Sequence, residues 1–349
     1  MSIKLIVVDD SAFMRRVIIS MLEDDPGIEV IGYARNGRDA LEKISRLKPD
    51  VVTMDIEMPE MDGLETLQKL MSEEPVPVVM LSAHTVAGAR QTMAALELGA
   101  VDFVAKPEGK QGMELLAEEL PRKIKIAARA EINRPSAALK GRPDTDKRPV
   151  KIFYPPKILA IGSSTGGPPA LQTILTRLPV DFPIGIVAAQ HMPRGFTGPF
   201  AARLNELCAL EVKEAAEGDR IEPGRVLIAP AGYQMQFKRR GRTVVVKITA
   251  DSPGSNLYKP SVDVMFESLA NVYGGNCLAV ILTGMGNDGT RGLQEIKARK
   301  AAVLAQDKDS CVVYGMPKSA VEAGVVDKIV PLSEMGEIII QLVNNRTTG

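Results

Sequence analysis

Three short strings in the second half of the chain hold the residue types needed to break an ester or amide. Gly162-Ser163-Ser164-Thr165-Gly166-Gly167 follows the apolar run Ile158–Ile161 and precedes a helical pattern opening at Pro168-Pro169. Prolines in a first helical turn cost little, because the amides there lack intrahelical partners. Ser164 thus falls on a strand-to-helix turn near the positive end of a helix dipole. Gly162-x-Ser164-x-Gly166 fits a nucleophile elbow, whose small neighbours let the backbone turn sharply. A serine hydroxyl is a weak nucleophile until a base takes its proton. His191, in Gln190-His191-Met192-Pro193, is the histidine of this half and follows the apolar run Gly185–Ala189. A third group must orient the ring and balance imidazolium. Asp288, in Gly284-Met285-Gly286-Asn287-Asp288-Gly289 after Leu278–Thr283, offers a carboxylate at a third strand end. Two other readings of the glycine-rich turn stay open: a phosphate cradle and a purely structural turn. At this turn the Walker string is absent, and so is the spacing G-x-G-x-x-G, since Ser164 stands where its second glycine would be. The chain order Ser, His, Asp also differs from the Ser, Asp, His order of α/β-hydrolases.

A different chemistry is written into the first third. Asp9 and Asp10 end one apolar run, Asp55 ends another, Ser82 follows a fourth and Lys106 a fifth. Carboxylates gathered at one edge repel unless a cation neutralises them. An all-oxygen cluster suits Mg²⁺, which keeps waters and accepts phosphate oxygens. A metal, a hydroxyl and a lysine around one carboxylate can stabilise an acyl phosphate on it. The Lys106-Pro107 bond is a place where a cis peptide would aim the lysine inward.

The elements that must position these groups follow from hydrophobic periodicity. Lys4–Val8, Glu29–Tyr33, Val51–Met54, Val76–Leu81 and Val101–Ala105 read as five strands alternating with five helices. That alternation predicts a doubly wound parallel sheet with its site at the strands' carboxyl ends. From 132 to 156 the chain is polar, proline-bearing and aperiodic, the signature of a linker. Strands resume at Ile158–Ile161, Gly185–Ala189, Val226–Ala229, Thr243–Ile248 and Leu278–Thr283, with helical stretches between. The expected architecture is α/β: a flavodoxin-like five-stranded domain over 1–131, a linker over 132–156, and a second α/β domain over 157–349. A β-hairpin is expected within 233–248, turning at Arg240-Gly241.

Composition removes several function classes. Within 349 residues, 43 Lys plus Arg balance 43 Asp plus Glu, so no general field exists for gripping nucleic acid or an anionic membrane. No basic recognition helix follows Pro156, which argues against a DNA-binding output. Apolar runs such as Leu5–Val8 are too short to span a bilayer, and no membrane insertion is expected. Cys208, Cys277 and Cys311 are odd in number and never in C-x-x-C spacing, which favours a reducing cytoplasm over a disulfide framework.

The first third resembles the receiver domain of two-component response regulators. Val7-Val8-Asp9-Asp10-Ser11, Met54-Asp55-Ile56-Glu57-Met58-Pro59, Met61-Asp62-Gly63, Leu81-Ser82-Ala83 and Asp102-Phe103-Val104-Ala105-Lys106-Pro107 carry that likeness. The resemblance implies that Asp55 accepts a phosphoryl group from a chemotaxis histidine kinase. It further implies that Asp9, Asp10, Asp55 and the carbonyl of Glu57 hold Mg²⁺, and that Ser82, Lys106 and the aromatic Phe103 sense the phosphoryl group. His84 is read as a surface residue. The Ser164, His191 and Asp288 strings, with receiver first and hydrolase last, resemble the CheB-type chemotaxis protein-glutamate methylesterases and glutamine deamidases. That likeness implies methylated glutamates on chemoreceptor cytoplasmic helices as substrate, a receiver–esterase interface within the chain, and no metal for ester hydrolysis. The backbone amides of Thr165 and Met285 are the expected oxyanion donors, commonly worth ~3 kcal/mol each.

Overall fold

The computed structural model describes residues 2–83, 85–130, 150–250 and 258–344, so His84 and most of the 132–156 linker lie outside the described residues. The chain divides into two compact units, Met1–Ala138 and Leu139–Gly349.

In the first unit, β1 (Ile3–Val8), β2 (Ile28–Ala34), β3 (Val51–Asp55), β4 (Val78–Ser82) and β5 (Asp102–Ala105) alternate with α1 (Ala12–Leu22), α2 (Gly37–Leu47), α3 (Gly63–Glu73), α4 (Val86–Glu97) and α5 (Gly109–Ala127). The strands pair in parallel in the order β2-β1-β3-β4-β5. Every residue of β3 and β4 is buried, as strands covered by helices on both faces must be. Polar caps start the helices sharply. The side chains of Ser11, Asn36, Asp62 and Thr85 accept from the amides of Met14, Asp39, Glu65 and Gly88.

The second unit holds β6 (Ile158–Ser163), α6 (Gly167–Leu175), β7 (Gly185–Gln190), α7 (Thr197–Leu207), β8 (Glu211–Glu214), β9 (Arg225–Ile228), β10 (Gln234–Arg240), β11 (Thr243–Thr249), α8 (Val262–Tyr273), β12 (Cys277–Ile281), α9 (Thr290–Ala298), β13 (Ala302–Gln306), α10 (Met316–Glu322), β14 (Lys328–Val330) and α11 (Leu332–Asn344). Seven parallel strands run in the order β14-β13-β12-β6-β7-β9-β8, and β10–β11 form a separate antiparallel ribbon. Strand order reverses at β6, which is where a doubly wound sheet opens a crevice. One core face joins Ile158, Val187, Leu227, Met265, Phe266, Leu293 and Val303 to Met235, Phe237 and Val246 of the ribbon.

Both doubly wound sheets agree with the sequence pattern; three strands, the helices α10 and α11, and the hairpin turn differ from it. β8 buries one side chain, Val212, in the charged string EVKE, as suits the edge strand it is. β13 is a five-residue buried run, too short for periodicity to separate from helix, and β14 has three residues. The hairpin turns one residue later than expected. Arg240 pairs with Thr243, so Gly241 and Arg242 form the loop, with Gly241 at φ 63°.

The packing predicts where stability resides. Phe266→Ala, at a site with 0% exposure, is expected to cost about 3–5 kcal/mol in the denaturant transition of its unit. Val180→Ala, where the side chain is 71% exposed, should stay within about 0.5 kcal/mol.

Candidate active site

The three carboxyl-end strings of the second unit meet because their strands are neighbours. β6 and β7 pair with Ser163 opposite Gln190, and the His191 amide donates to Ser163 O at 3.1 Å. On the other side of β6, Ile281 of β12 pairs with Gly162, and the Ser164 amide donates to Thr283 O at 3.0 Å. Ser164 therefore leaves the central strand between the other two groups. Through Ile158–Pro168 it is the residue that is not fully buried.

Gln190 fastens the elbow. Its Nε2 donates to Ser164 O and His191 O, each at 2.9 Å, while its Oε1 accepts from Ser163 Oγ at 2.7 Å. The Gly167 amide closes the turn on Ser164 O at 2.7 Å. Glycine is required there, since a Cβ would fall 1.9 Å from Gln190 Oε1. Gly284 is required as well: its Cβ would lie 2.7 Å from Ser164 Cβ, so the loop carrying Met285 presses on the serine. Thr283 Oγ1 donates to Thr165 O at 2.9 Å and joins that loop to the elbow.

His191 is held at one nitrogen and open at the other. Nε2 lies 2.8 Å from Asp288 Oδ2, and the imidazole is 10% exposed. Against an ionised carboxylate Nε2 carries the proton, which leaves Nδ1 as an acceptor. Nδ1 is buried and has no hydrogen-bond partner. The nitrogens are thus exchanged relative to the familiar triad, in which Nδ1 faces the carboxylate. Tyr258 stacks on the imidazole, with ring centroids 4.2 Å apart and planes at 9°.

Asp288 reaches its charge through the start of α8. Oδ2 also accepts from the Val262 amide at 2.7 Å, and Oδ1 from Ser261 Oγ at 2.9 Å and the Asp263 amide at 3.0 Å. Burial alone would raise this carboxyl, but His191 and the Val262 and Asp263 amides outweigh it and hold the group below its ordinary value. Asp263 returns the favour: its Oδ1 accepts from the Gly289 and Gly292 amides at 2.9 and 2.8 Å, capping the start of α9. Burial, with Asp288 nearby, raises the Asp263 carboxyl.

The first unit gathers the second candidate site at its own switch point, between β1 and β3. Carboxylate oxygens of Asp9, Asp10 and Asp55 lie within 4.8 Å of one another. Lys106 Nζ is 2.7 Å from Asp55 Oδ2 and 3.3 Å from Asp9 Oδ2. Those two buried oxygens accept no well-directed hydrogen bond, so one ammonium is shared by two buried carboxylates while Asp10 adds a third beside them. That deficit of positive charge fits a divalent cation with oxygen ligands. Burial pushes Asp55 up to about 6 and raises Asp9. Burial lowers Lys106, but its contacts with Asp55 and Asp9 prevail and raise it.

Lys106 points inward without a cis bond. Among the described residues the cis peptide is Lys259-Pro260, and Lys106 is aimed instead by its amide, which donates to Ser82 O at 2.7 Å and continues the β5 pairing. Ser82 Oγ donates to Gly88 O at 3.1 Å and accepts from Thr92 Oγ1 at 2.6 Å. Phe103 is buried, with Lys123 Nζ 5.3 Å from its ring centroid. Glu57 is exposed, and its amide donates to Asp55 Oδ1 at 3.3 Å.

Sequence reasoning missed Tyr258, Asp263 and Thr92, and gave Gln190 and Ser261 no role. Ser261, standing just ahead of an apolar helical run, carried a readable cap signal. Tyr258 carried none.

Comparison with known proteins places both units. Residues 159–339 match the family described as CheB methylesterase, and residues 5–118 match the response regulator receiver domain. A relative from Moorella thermoacetica, named protein-glutamate methylesterase/protein-glutamine glutaminase, is 43% identical over 98% of each chain. One of the same name from Halalkalibacterium halodurans is 47% identical over 97% of this chain and 98% of its own. The crystal structure of the Thermotoga maritima CheB methylesterase catalytic domain aligns with TM-score 0.53 at 43% identity, covering 54% of this chain and 100% of that one.

Protonation of the cluster would compete with any cation held there. A divalent cation would meet the ionised form of Asp55, so affinity should be full above pH ~7 and fall as protonation competes below about 6. Calorimetric Mg²⁺ titrations at pH 7.5 and 5 should show a loss of roughly tenfold, absent in Asp55→Asn.

Proposed function

The chain belongs to the CheB methylesterase family and carries a response regulator receiver domain, and from that premise we propose that it hydrolyses glutamate γ-methyl esters on chemoreceptor helices, and glutamine amides there, under control of phosphorylation. The observation that carries the hydrolytic reading is the buried, unpartnered Nδ1 of an imidazole pinned by Asp288 beside the Ser164 turn. A buried acceptor without a donor is costly unless a hydroxyl or substrate meets it.

Ser164 Oγ attacks the side-chain carbonyl carbon as His191 Nδ1 takes its proton. Asp288 balances the resulting imidazolium without taking the proton itself. The backbone amides of Thr165 and Met285 receive the developing oxyanion; the close approach of Gly284 to Ser164 supports the second assignment. Imidazolium then protonates the leaving methoxide or amide, releasing methanol or ammonia. Water, deprotonated by His191, attacks the glutamyl ester of Ser164, and protein glutamate leaves with Oγ reprotonated.

In the same reading the first unit, as a receiver over 1–131, takes a phosphoryl group on Asp55 from a histidine kinase. Asp9, Asp10, Asp55 and the Glu57 carbonyl would hold Mg²⁺, which supplies charge neutralisation for the phosphoryl oxygens. Lys106 pairs with the modified carboxylate. Ser82 would then exchange its Gly88 partner for the phosphoryl oxygens, with Phe103 and α4 following. Residues 132–156 link this unit to the esterase over 157–349, and the reaction takes place in the cytoplasm, where receptor signalling helices lie. No helix among the described residues is long and apolar enough to cross a membrane.

Methanol release from methylated receptor membranes tests the serine reading. Ser164→Ala and His191→Ala should each lower it by about a thousandfold or more. A serine-directed fluorophosphonate should label the native chain, fail on Ser164→Ala, and label His191→Ala slowly. Undiminished release by Ser164→Ala would overturn the assignment.

A further inference from the structure

His191 has a hydrogen bond at one end of its ring and none at the other. A single bond to Asp288 fixes the position of Nε2 but leaves the imidazole plane free to rock about it. Yet proton transfer from Ser164 requires the Nδ1 lone pair to lie along the line of approach, within hydrogen-bond reach. Something else must set the plane. A contact on the ring face does so, and Tyr258 supplies one, nearly parallel at 9° with centroids 4.2 Å apart.

We propose that Tyr258 is a positioning residue for the hydrolytic step: its ring fixes the plane of His191 so that Nδ1 faces Ser164, and its π face favours the imidazolium that forms there. The inference rests on the serine-hydrolase reading above. Tyr258 is tied into the same network that holds the carboxylate. Its carbonyl accepts from Gln234 Nε2 at 3.0 Å, and Gln234 Oε1 accepts from the Ser261 amide at 2.8 Å. Ser261 Oγ donates to Asp288 Oδ1 at 2.9 Å. The path from Tyr258 through Gln234, Ser261 and Asp288 returns to His191, and the ring stack closes it. The plane of the base and the position of its carboxylate are therefore set together.

The far end of the phenol lies over the loop that carries Met285. A Cβ on Gly286, whose φ is 82°, would sit 3.6 Å from the Tyr258 hydroxyl. The ring thus covers one face of the imidazole and reaches to the Gly286 backbone. A cation over an aromatic face is favoured more than a neutral ring, so the contact strengthens as the proton arrives. Interactions that strengthen toward the transition state raise kcat rather than substrate affinity.

The test uses the full chain. Tyr258→Phe and Tyr258→His keep a flat ring and should retain methanol release within about threefold, whereas Tyr258→Leu should lose about tenfold or more in kcat with KM nearly unchanged. The chain has two histidines, His84 and His191, so a His84→Gln background assigns the His191 Hε1 proton resonance. That proton should show an upfield ring-current shift in the native chain and in Tyr258→Phe, lost in Tyr258→Leu. Native kcat in Tyr258→Leu, or equal losses in Tyr258→Phe and Tyr258→Leu, or a loss confined to KM, would each overturn the proposal. An unshifted His191 proton in the native chain would do so without reference to any folding defect in a variant. Release by Ser164→Ala at the native rate would instead remove the hydrolase reading and the inference with it. Ser164→Ala inactive beside a fully active Tyr258→Leu would remove the inference alone.

Discussion

A buried carboxylate must be met by donors or give up its charge, and the second unit is organised around meeting one. Asp288 accepts from four: His191 Nε2, Ser261 Oγ and the amides of Val262 and Asp263. Two of these are orphan amides at the start of α8, which would need an acceptor in any case. The helix end and the carboxylate thus satisfy each other, and the imidazole is oriented as a consequence. Asp263 does the same for the start of α9 through Gly289 and Gly292. Two helices are capped crosswise by side chains from each other's neighbourhood. A loop whose glycines leave little intrinsic preference is in this way held to one conformation.

The first unit applies the opposite solution to a similar problem. Asp55 is as buried as Asp288, but its neighbours are Asp9, Asp10 and a single shared lysine. Without enough donors its carboxyl rises to about 6, whereas Asp288 falls below its ordinary value. One carboxylate is kept ionised as a permanent fixture. The other is left under-compensated, a state relieved by a cation or by a group that brings one. Both lie at the point where strand order reverses in a parallel sheet. There the loops at strand ends diverge to opposite faces and leave a crevice between them.

How much of this is legible without coordinates differs from residue to residue. Ser164, His191 and Asp288 stand beyond apolar runs with one to four residues between, so alternation assigns them to strand ends on one edge, and short strings around them supply the family likeness. Asp9, Asp55 and Lys106 are legible for the same reason. Gln190 sits inside a quoted string, yet nothing in its spacing shows that its amide bridges two backbone carbonyls and a serine hydroxyl. β8, β13 and β14 were hidden by brevity or charge. Their existence depends on a sheet edge to pair with, which is a non-local fact.

The amino-acid order by itself determined the two α/β units, the strand ends that bear chemistry and the residue types there, because buried parallel strands require largely apolar runs and leave charged residues mostly at their termini. Tertiary structure alone decided which nitrogen of His191 meets Asp288, that Ser82 turns to Gly88 rather than to Asp55, and that Tyr258 lies flat on the imidazole. Each of these is a choice among orientations of a side chain already in place. Such choices are made by neighbours from distant parts of the chain, and no local pattern encodes them.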